Sequence, residues 1–353
     1  MSGRPGLPRG VAVALGAAVL FGLSTPAAKR LLGDVHPVLL AGLLYGGSGL
    51  GLSLARLSRG GAGEAPLTRR DAPWLAGAVV AGGILGPVLL LLGLRASPAS
   101  EASLLLNLEG VFTALLAWFV FHENFDRRIA AGMLLIVGGG VVLGWPSGAG
   151  PGFTRGALAI AAACLCWAVD NNLTQRVSGG DPVQVAAIKG GVSSAFNVGV
   201  ALVLGAAWPS PLVVGLSLLV GFVGYGVSLS LFVVALREVG TARTGAYFSV
   251  APFVGAIASL ALLGEPLRPA LALAGLLMAA GVWLHISERH EHQHRHEALV
   301  HSHRHVHDEH HRHAHAPGDP EDEPHTHEHE HERVLHTHPH YPDLHHRHAH
   351  RRD

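Results

Sequence analysis

Two sets of residues in this chain are able to do chemistry, and they lie apart. Of its 26 histidines, only His36, His122 and His285 precede residue 288; the other 23 crowd the last 66 residues. There they alternate with polar residues: His290, His292, His294 and His296, then His301, His303, His305 and His307, then His325, His327, His329 and His331. Alternation sets each group of four on one side of an extended chain, and on a helix it gives i, i+4 pairs. Either spacing brings two imidazoles to one ion. Neutral imidazole suits Zn, Ni, Co or Cu, and the tail has no cysteine to favour softer ions. A pH-responsive charge cloud is the competing reading, since imidazole titrates near neutrality.

The second set is a handful of polar side chains within long apolar runs. Glu109 falls near the middle of one such run with Asn107 beside it. Burying an ionisable group in hydrocarbon is costly, so each is a functional candidate, with helix packing as the plain alternative. Asp170, Asn171 and Asn172 crowd another run, and Cys166 sits four residues before Asp170 on the same helical face, a pairing suited to a metal in transit. Lys189, Ser193, Ser194 and Asn197 form a stripe that should face the interior. Tyr225 and Tyr247 are candidate cavity-lining aromatics. Lys29, Arg30 and Arg243 lie near run ends, where snorkelling to water is the ordinary outcome.

The elements that position these groups follow from hydropathy. Hydrophobic residues make up 49% of the chain and charged ones 14%, even with the polar tail included. Residues 10–287 therefore read as a membrane domain. Ten apolar spans are expected: Gly10–Ala28, Val38–Leu57, Trp74–Leu94, Pro98–Phe121, Ile129–Trp145, Gly156–Leu173, Pro182–Ala206, Leu212–Leu236, Thr241–Leu263 and Pro269–Ile286. Each is near the ~20 residues that cross a bilayer as a helix, and none shows the alternation of a barrel strand. Arg4 and Arg9 ahead of an apolar stretch resemble a signal peptide, with Ser24-Thr25-Pro26-Ala27 near a cut site. A counterpart of that stretch later in the chain argues that it stays as a structural helix.

The counterpart is part of a repeat. Shifted by 145 positions, His36-Pro37 falls on Asp181-Pro182 and Phe21-Gly22 on Cys166-Trp167. Shifted by 142, Leu94-Arg95 falls on Leu236-Arg237, Glu123 on Glu265, and Glu101 on Arg243. Residues 10–146 and 155–287 thus read as two five-helix units. An odd span count turns the second upside down, an arrangement that places a transport site where the copies meet. Glu101 and Arg243 would then stand at opposite mouths of one path. Eleven arginines on one side (Arg4, Arg9, Arg56, Arg59, Arg69, Arg70, Arg127, Arg128, Arg176, Arg237, Arg243) against five cations on the other (Lys29, Arg30, Arg95, Arg155, Arg268) orient the chain with both termini and the tail cytoplasmic.

The run Asn107-Leu108-Glu109-Gly110-Val111-Phe112-Thr113-Ala114-Leu115-Leu116-Ala117-Trp118 with His122-Glu123 has second-half partners in Ser249-Val250-Ala251-Pro252-Phe253-Val254 and Gly264-Glu265-Pro266. These segments resemble the EamA-type ten-helix transporters of the drug/metabolite transporter superfamily. Gly110 stands where that family usually has proline, and Ala251 where it has glutamate. The resemblance covers residues 10–287. It implies an all-α membrane protein of two inverted five-helix repeats that moves small solutes, in a bacterial-type inner membrane.

The expected protein is a secondary transporter of small metabolites, driven by an ion gradient. Residues 288–353 form a cytoplasmic tail that binds divalent transition metals and lacks the apolar content to fold alone, so it should be disordered without metal. The alternative is a divalent metal efflux carrier whose tail collects Ni, Zn or Co. No cofactor is required. A small-molecule substrate, lipid and divalent metal ions are the expected partners; a homodimer is left open, and zero net charge gives no reason to invoke nucleic acid. The two cysteines, Cys164 and Cys166, are too close on one helix for an unstrained disulfide. No G-x-x-x-x-G-K loop and no nucleophile–base set argues for ATP-driven pumping or an enzyme.

Overall fold

A computed structural model describes residues 9–58, 67–121, 127–145, 153–177, 181–239, 241–286, 291–295, 299–305, 325–331 and 335–339. In the first repeat, α1 (Arg9–Leu31) and α2 (Pro37–Ser58) are uninterrupted. Next come α3 (Ala72–Ala78), a π-helical segment (Val79–Leu85) and α4 (Gly86–Ala96) as one rod, then α5 (Ala99–Leu105), α6 (Leu108–Phe121) and α7 (Arg127–Gly144). The second repeat follows the same plan. It has α8 (Arg155–Gln175), α9 (Pro182–Val203), a rod of α10 (Pro211–Gly221), π-helical Phe222–Val227 and α11 (Ser228–Val239), then α12 (Thr241–Phe248), α13 (Ala251–Leu263) and α14 (Pro269–Ile286). The starts are set by local capping: Thr154 Oγ1 accepts from Ala157 N, and Asp181 Oδ1 accepts from the amides of Val183 and Gln184. Gly264, at φ 67°, ends α13 in the left-handed conformation that glycine tolerates.

Seven described stretches are long and apolar enough to cross a membrane, and Ala130–Gly144, Ala251–Leu263 and Pro269–Leu284 are shorter apolar helices. The surface they present is not that of a water-soluble fold. Leu54 at 66%, Leu134 at 72% and Leu276 at 71% exposure stand bare, while the interior is rich in buried Ala, Ser and Gly. Bare large apolar side chains on the outside, over an interior that packs many small residues among its leucines, is the pattern expected where lipid is the solvent. Helix α1 runs unbroken through Ser24-Thr25-Pro26-Ala27.

Helices pair across the two halves in matching ways. α2 lies along α9 and α7 along α14; α4 packs on α8 as α11 packs on α1; α6 contacts α8 as α12 and α13 contact α1. Exchanging the halves leaves this pattern unchanged, so a pseudo-two-fold axis relates them. The α2–α9 crossing is close enough to exclude side chains. A Cβ on Gly49 would meet Gly191 N at 2.5 Å and the Gly190 carbonyl carbon at 2.9 Å.

Two expectations about continuity are corrected. The spans Pro98–Phe121 and Thr241–Leu263 are interrupted rods, broken at Leu106–Asn107 and at Ser249–Val250. The third and eighth rods contain π-helical segments at equivalent places, starting at Val79 and Phe222. Apolar content sets span length, whereas interior packing decides where the ladder of hydrogen bonds slips.

The histidine-rich tail, residues 288–353, follows α14. Its described residues form four short strands in two antiparallel pairs: β1 (Glu291–Arg295) with β4 (Leu335–Pro339), and β2 (Leu299–His305) with β3 (His325–His331). The register aligns His301 with His329, His303 with His327, His305 with His325, His292 with His338 and His294 with His336. The period of two in the histidine pattern matches the period of a strand. His290, His296 and His307 lie outside the described residues.

Gly49→Ala gains at most about 1 kcal/mol of helix propensity. Against that, overpacking at a backbone contact costs roughly 1–3 kcal/mol. Its melting temperature in detergent should therefore fall, whereas Gly16→Ala, with nothing within 4 Å of the added carbon, should match or exceed the parent.

Candidate functional site

The slipped ladder of the first π-helical segment frees carbonyls in mid-membrane, where no water waits to satisfy them. Three side chains from other helices do so. Tyr45 Oη donates to Gly82 O at 2.7 Å, Trp167 Nε1 to the same oxygen at 3.0 Å, and Asn197 Nδ2 to Gly83 O at 3.1 Å. Glycine is required at both positions: a Cβ on Gly82 would overlap the Asp170 carboxylate, and one on Gly83 the Ser193 hydroxyl. The same face of α8 and α9 then holds a buried ion pair. Lys189 Nζ donates to both Asp170 oxygens, at 2.6 and 2.7 Å, and to Thr174 Oγ1 at 3.2 Å. Thr174 in turn donates to Asp170 at 2.8 Å.

Asn171, next to Asp170 on α8, leads to Glu109. It occupies the first turn of α6, just past the interruption, where the free amides of a half-helix favour negative charge. Asn171 Nδ2 donates to its Oε1 at 2.7 Å. Glu109 is half-buried rather than sealed. Among the described residues no cation pairs with it, because Lys189 is committed to Asp170. Asn107, at the break itself, is buried and donates to Leu104 O at 3.0 Å and toward Met278 Sδ at 3.8 Å. Its amide is a second donor to that carbonyl, which the Asn107 backbone N–H already meets at 3.0 Å. The buried hydroxyls of Ser103, Thr113, Ser193 and Thr244 have no hydrogen-bond partner among the described residues.

Aromatic rings close this region. Phe21 is the hub, with ring centroids 5.8 Å from Tyr225, 6.3 Å from Trp167 and 5.4 Å from Phe248. Tyr45 lies 5.6 Å from Tyr225, and Phe232 4.8 Å from Phe248. Five helical rods contribute: α1, α2, α8, the eighth rod and α12.

Each mouth carries its own polar clasp. At one, Glu265 accepts from Ala99 N at 2.7 Å, Ser100 N at 2.9 Å and Ser100 Oγ at 2.6 Å, tying the loop after α13 to the start of α5. Burial works to raise the Glu265 pKa, but the Ser100 and Ala99 hydrogen bonds and the nearby Lys29 charge outweigh it and hold the carboxyl below its ordinary value. Lys29 Nζ caps Leu94 O and Ser97 O at 2.5 and 2.7 Å, and Arg268 reaches Glu101 at 3.4 Å. At the other mouth Arg56 pairs with Asp181 at 2.8 Å.

Of the residues singled out in the sequence, the structure gathers Asn107, Glu109, Asp170, Asn171, Lys189, Asn197 and Tyr225 into this centre. Lys189, Ser193 and Asn197 are buried, as the stripe required. Glu101 stands at a mouth, paired with Arg268, and Tyr247 is half-buried on α12. The Arg243 side chain lies outside the described residues. The proposed Cys166–Asp170 face is not a site: Lys189 takes both Asp170 oxygens, and it is Cys164 that is buried, its thiol 3.6 Å from Leu105 O. Sequence reasoning missed Phe21, Tyr45, Trp167 and Phe248. The signal for Tyr45 was its rarity, as one of four tyrosines in the chain.

Removing one partner of a buried ion pair costs about 3–5 kcal/mol, and removing both costs less. Lys189→Met should thus lower the denaturation midpoint in detergent more than the double change with Asp170→Asn. For Glu265 the depressed pKa sets the sign. Its contribution is complete above the ordinary carboxylate value and is lost as pH falls through the lower, folded value. Wild type should melt above Glu265→Gln at neutral pH, and the two curves should converge on acidification.

The sequence profile of the EamA-like transporter family matches residues 8–145 and 154–287. An uncharacterized transporter of Methanothermobacter thermautotrophicus is 29% identical over 286 residues, which span 76% of this chain and 83% of that protein. A solved crystal structure at 21% identity covers 78% of this chain and 94% of its own, with a TM-score of 0.62, and so shares the fold. With both halves matched, interrupted rods at equivalent places and lipid-facing apolar surfaces throughout, the chain belongs to the EamA-like transporter family and is a multi-pass membrane protein.

Proposed function

We propose that this protein is a ten-span secondary transporter of a small organic solute, built from two inverted five-helix repeats and driven by an ion gradient. Seven long apolar stretches and three shorter apolar helices add up to ten spans. The observation that carries the reading is the equivalent interruption of the fourth and ninth rods, with Glu109 on the half-helix that begins at the first break. Interrupted helices at a repeat interface mark transporter binding sites, since they offer polar backbone and helix termini at mid-membrane. A half-buried carboxylate there takes up a proton or a cation, which supplies the coupling.

Arginine bias supports a bacterial-type inner membrane location with both termini in the cytoplasm. Organic cargo is preferred to metal within the spans because the centre combines a carboxylate, an amide and aromatic rings. Among the described residues no three His, Cys, Asp or Glu side chains converge there. The cytoplasmic tail is assigned a separate role, binding Zn, Ni or Co through its histidines, with cross-strand alignment of His301/His329, His303/His327 and His305/His325 in support. In this reading the tail is accessory to transport.

Intracellular and external metabolite profiles of cells expressing wild type, Glu109→Gln and a chain ending at Glu288 test this. Wild type and the shortened chain should shift the same small solute across the membrane, and Glu109→Gln should reduce that shift by about tenfold or more if it removes the coupling group. The shortened chain should lose Ni and Zn binding without losing transport. Metal tolerance that changes while every organic solute stays put would favour the metal carrier, and no change in either would remove the transporter assignment.

A further inference from the structure

Among the described residues, both arginine-over-indole stacks lie on one face of the membrane domain. The Arg176 guanidinium carbon is 5.4 Å from the ring centroid of Trp74, and that of Arg128 is 5.8 Å from the ring of Trp283. Successive rods alternate in direction, so the starts of the third rod and of α7 share a face with the ends of α8 and α14. The proposed orientation turns that face to the cytoplasm. All four side chains are exposed.

The corner at Trp74 is built around a turn. Asp71 N donates to Thr68 O at 3.1 Å, and the two residues between them are Arg69 and Arg70, both exposed. The Asp71 carboxylate accepts from Thr68 N at 2.7 Å and from Thr68 Oγ1 at 2.8 Å, which fastens the turn at its base. Beneath it Leu75, Val177 and Val185 form a small buried core, with Leu67 and Ile188 packed on it. That core fixes the turn beside the end of α8, where Arg176 stands. Three exposed arginines from two elements thus surround one exposed indole. The acidic groups of this corner are otherwise engaged: Asp71 with Thr68, and Asp181 with Arg56 and the amides of Val183 and Gln184. Among the described residues no carboxylate pairs with Arg69 or Arg70.

We propose that this corner binds the headgroup of an acidic phospholipid, its phosphate against Arg69, Arg70 and Arg176 and its glycerol on Trp74. The planar donors of arginine match two phosphate oxygens at once. An indole at the end of a span sits at headgroup level, and Trp74 opens the third rod. Further along that rod Val80 and Leu85 are exposed, so the acyl chains of the same lipid have an apolar track below the arginines. A soluble anion would leave that track unused. A zwitterionic lipid would bring its own cation against three others. Because α3 belongs to the first repeat and α8, on which it packs, to the second, the bound lipid ties the two halves together at this face. The assignment goes beyond transport and holds whatever the solute.

Native mass spectrometry and thermal melting of delipidated full-length protein in detergent test the assignment, with dioleoylphosphatidylglycerol as the acidic probe and dioleoylphosphatidylcholine as the zwitterionic one. Wild type should retain phosphatidylglycerol at least about tenfold more tightly than phosphatidylcholine, and its melting temperature should rise as phosphatidylglycerol is added. Arg176→Gln, and Arg69→Gln together with Arg70→Gln, should weaken that binding by about fivefold for each arginine lost. The triple change should carry one fewer phosphatidylglycerol than wild type and lose most of the thermal shift, while melting as wild type does without lipid. Arg95→Gln removes an exposed arginine from the opposite face and should alter neither reading. Added salt should weaken the wild-type preference for phosphatidylglycerol and leave the triple variant unmoved. Arg176→Gln changes a single exposed side chain, so it carries the test should the triple variant fail to fold. Equal retention of the two lipids by wild type overturns the proposal, as do variants that keep the wild-type lipid count and thermal shift. Inorganic phosphate that reproduces the shift would assign the corner to a soluble anion and overturn it as well.

Discussion

Lipid offers no hydrogen bonds, and the architecture of this protein is organised around that lack. Any backbone group released from a helix inside the bilayer must find a partner within the chain. The π-helical segment at Val79–Leu85 releases carbonyls at Gly82 and Gly83, and Tyr45, Trp167 and Asn197 reach in from three other helices to meet them. Those three contacts fix α2, α8 and α9 around the third rod. The same helices carry Asp170, Asn171 and Lys189, so satisfying the backbone and assembling the polar centre are one event.

This coupling explains why the centre is stiff on one side and open on the other. The Lys189–Asp170–Thr174 set is sealed and mutually satisfied, a scaffold more than a reagent. Glu109, on a half-helix with a single amide partner, keeps a free oxygen and partial exposure. At the two mouths the clasps differ in kind: Glu265 binds backbone and hydroxyl donors at one, and Arg56 pairs with Asp181 at the other. Unlike clasps respond differently to pH and salt.

Much of this was legible in the chain. Hydropathy marked the apolar stretches, seven of which are long enough to cross a membrane, and matching Glu123 with Glu265 pointed to the repeat, because both signals are local or periodic. Glu109 stood out because a lone carboxylate in an apolar run has few innocent explanations. What the sequence could not show was partnership. Asp170 read as a neighbour of Cys166 because i, i+4 spacing is visible on one helix, while Lys189 lies on another helix and wins by charge. The interruptions at Leu106–Asn107 and Ser249–Val250 each coincide with one polar residue, too little to divide an apolar run. Paired glycines at Gly82-Gly83 were the available hint that backbone and side chains meet there. In the tail, the period of two in the histidines was readable as a strand pattern, yet low apolar content argued against any strand. The pairing of His301 with His329 depends on a partner more than twenty residues away.

The central claim is that the equivalent breaks in the fourth and ninth rods meet water at mid-membrane. Hydrogen–deuterium exchange on the full-length protein in lipid nanodiscs tests it most directly. Amides at 106–110 and 249–253 should exchange well ahead of those in the unbroken stretches of α2 and α9 at the same depth. Equal, slow exchange at the breaks and in those helices would mean that no aqueous route reaches Glu109, and the account would fail.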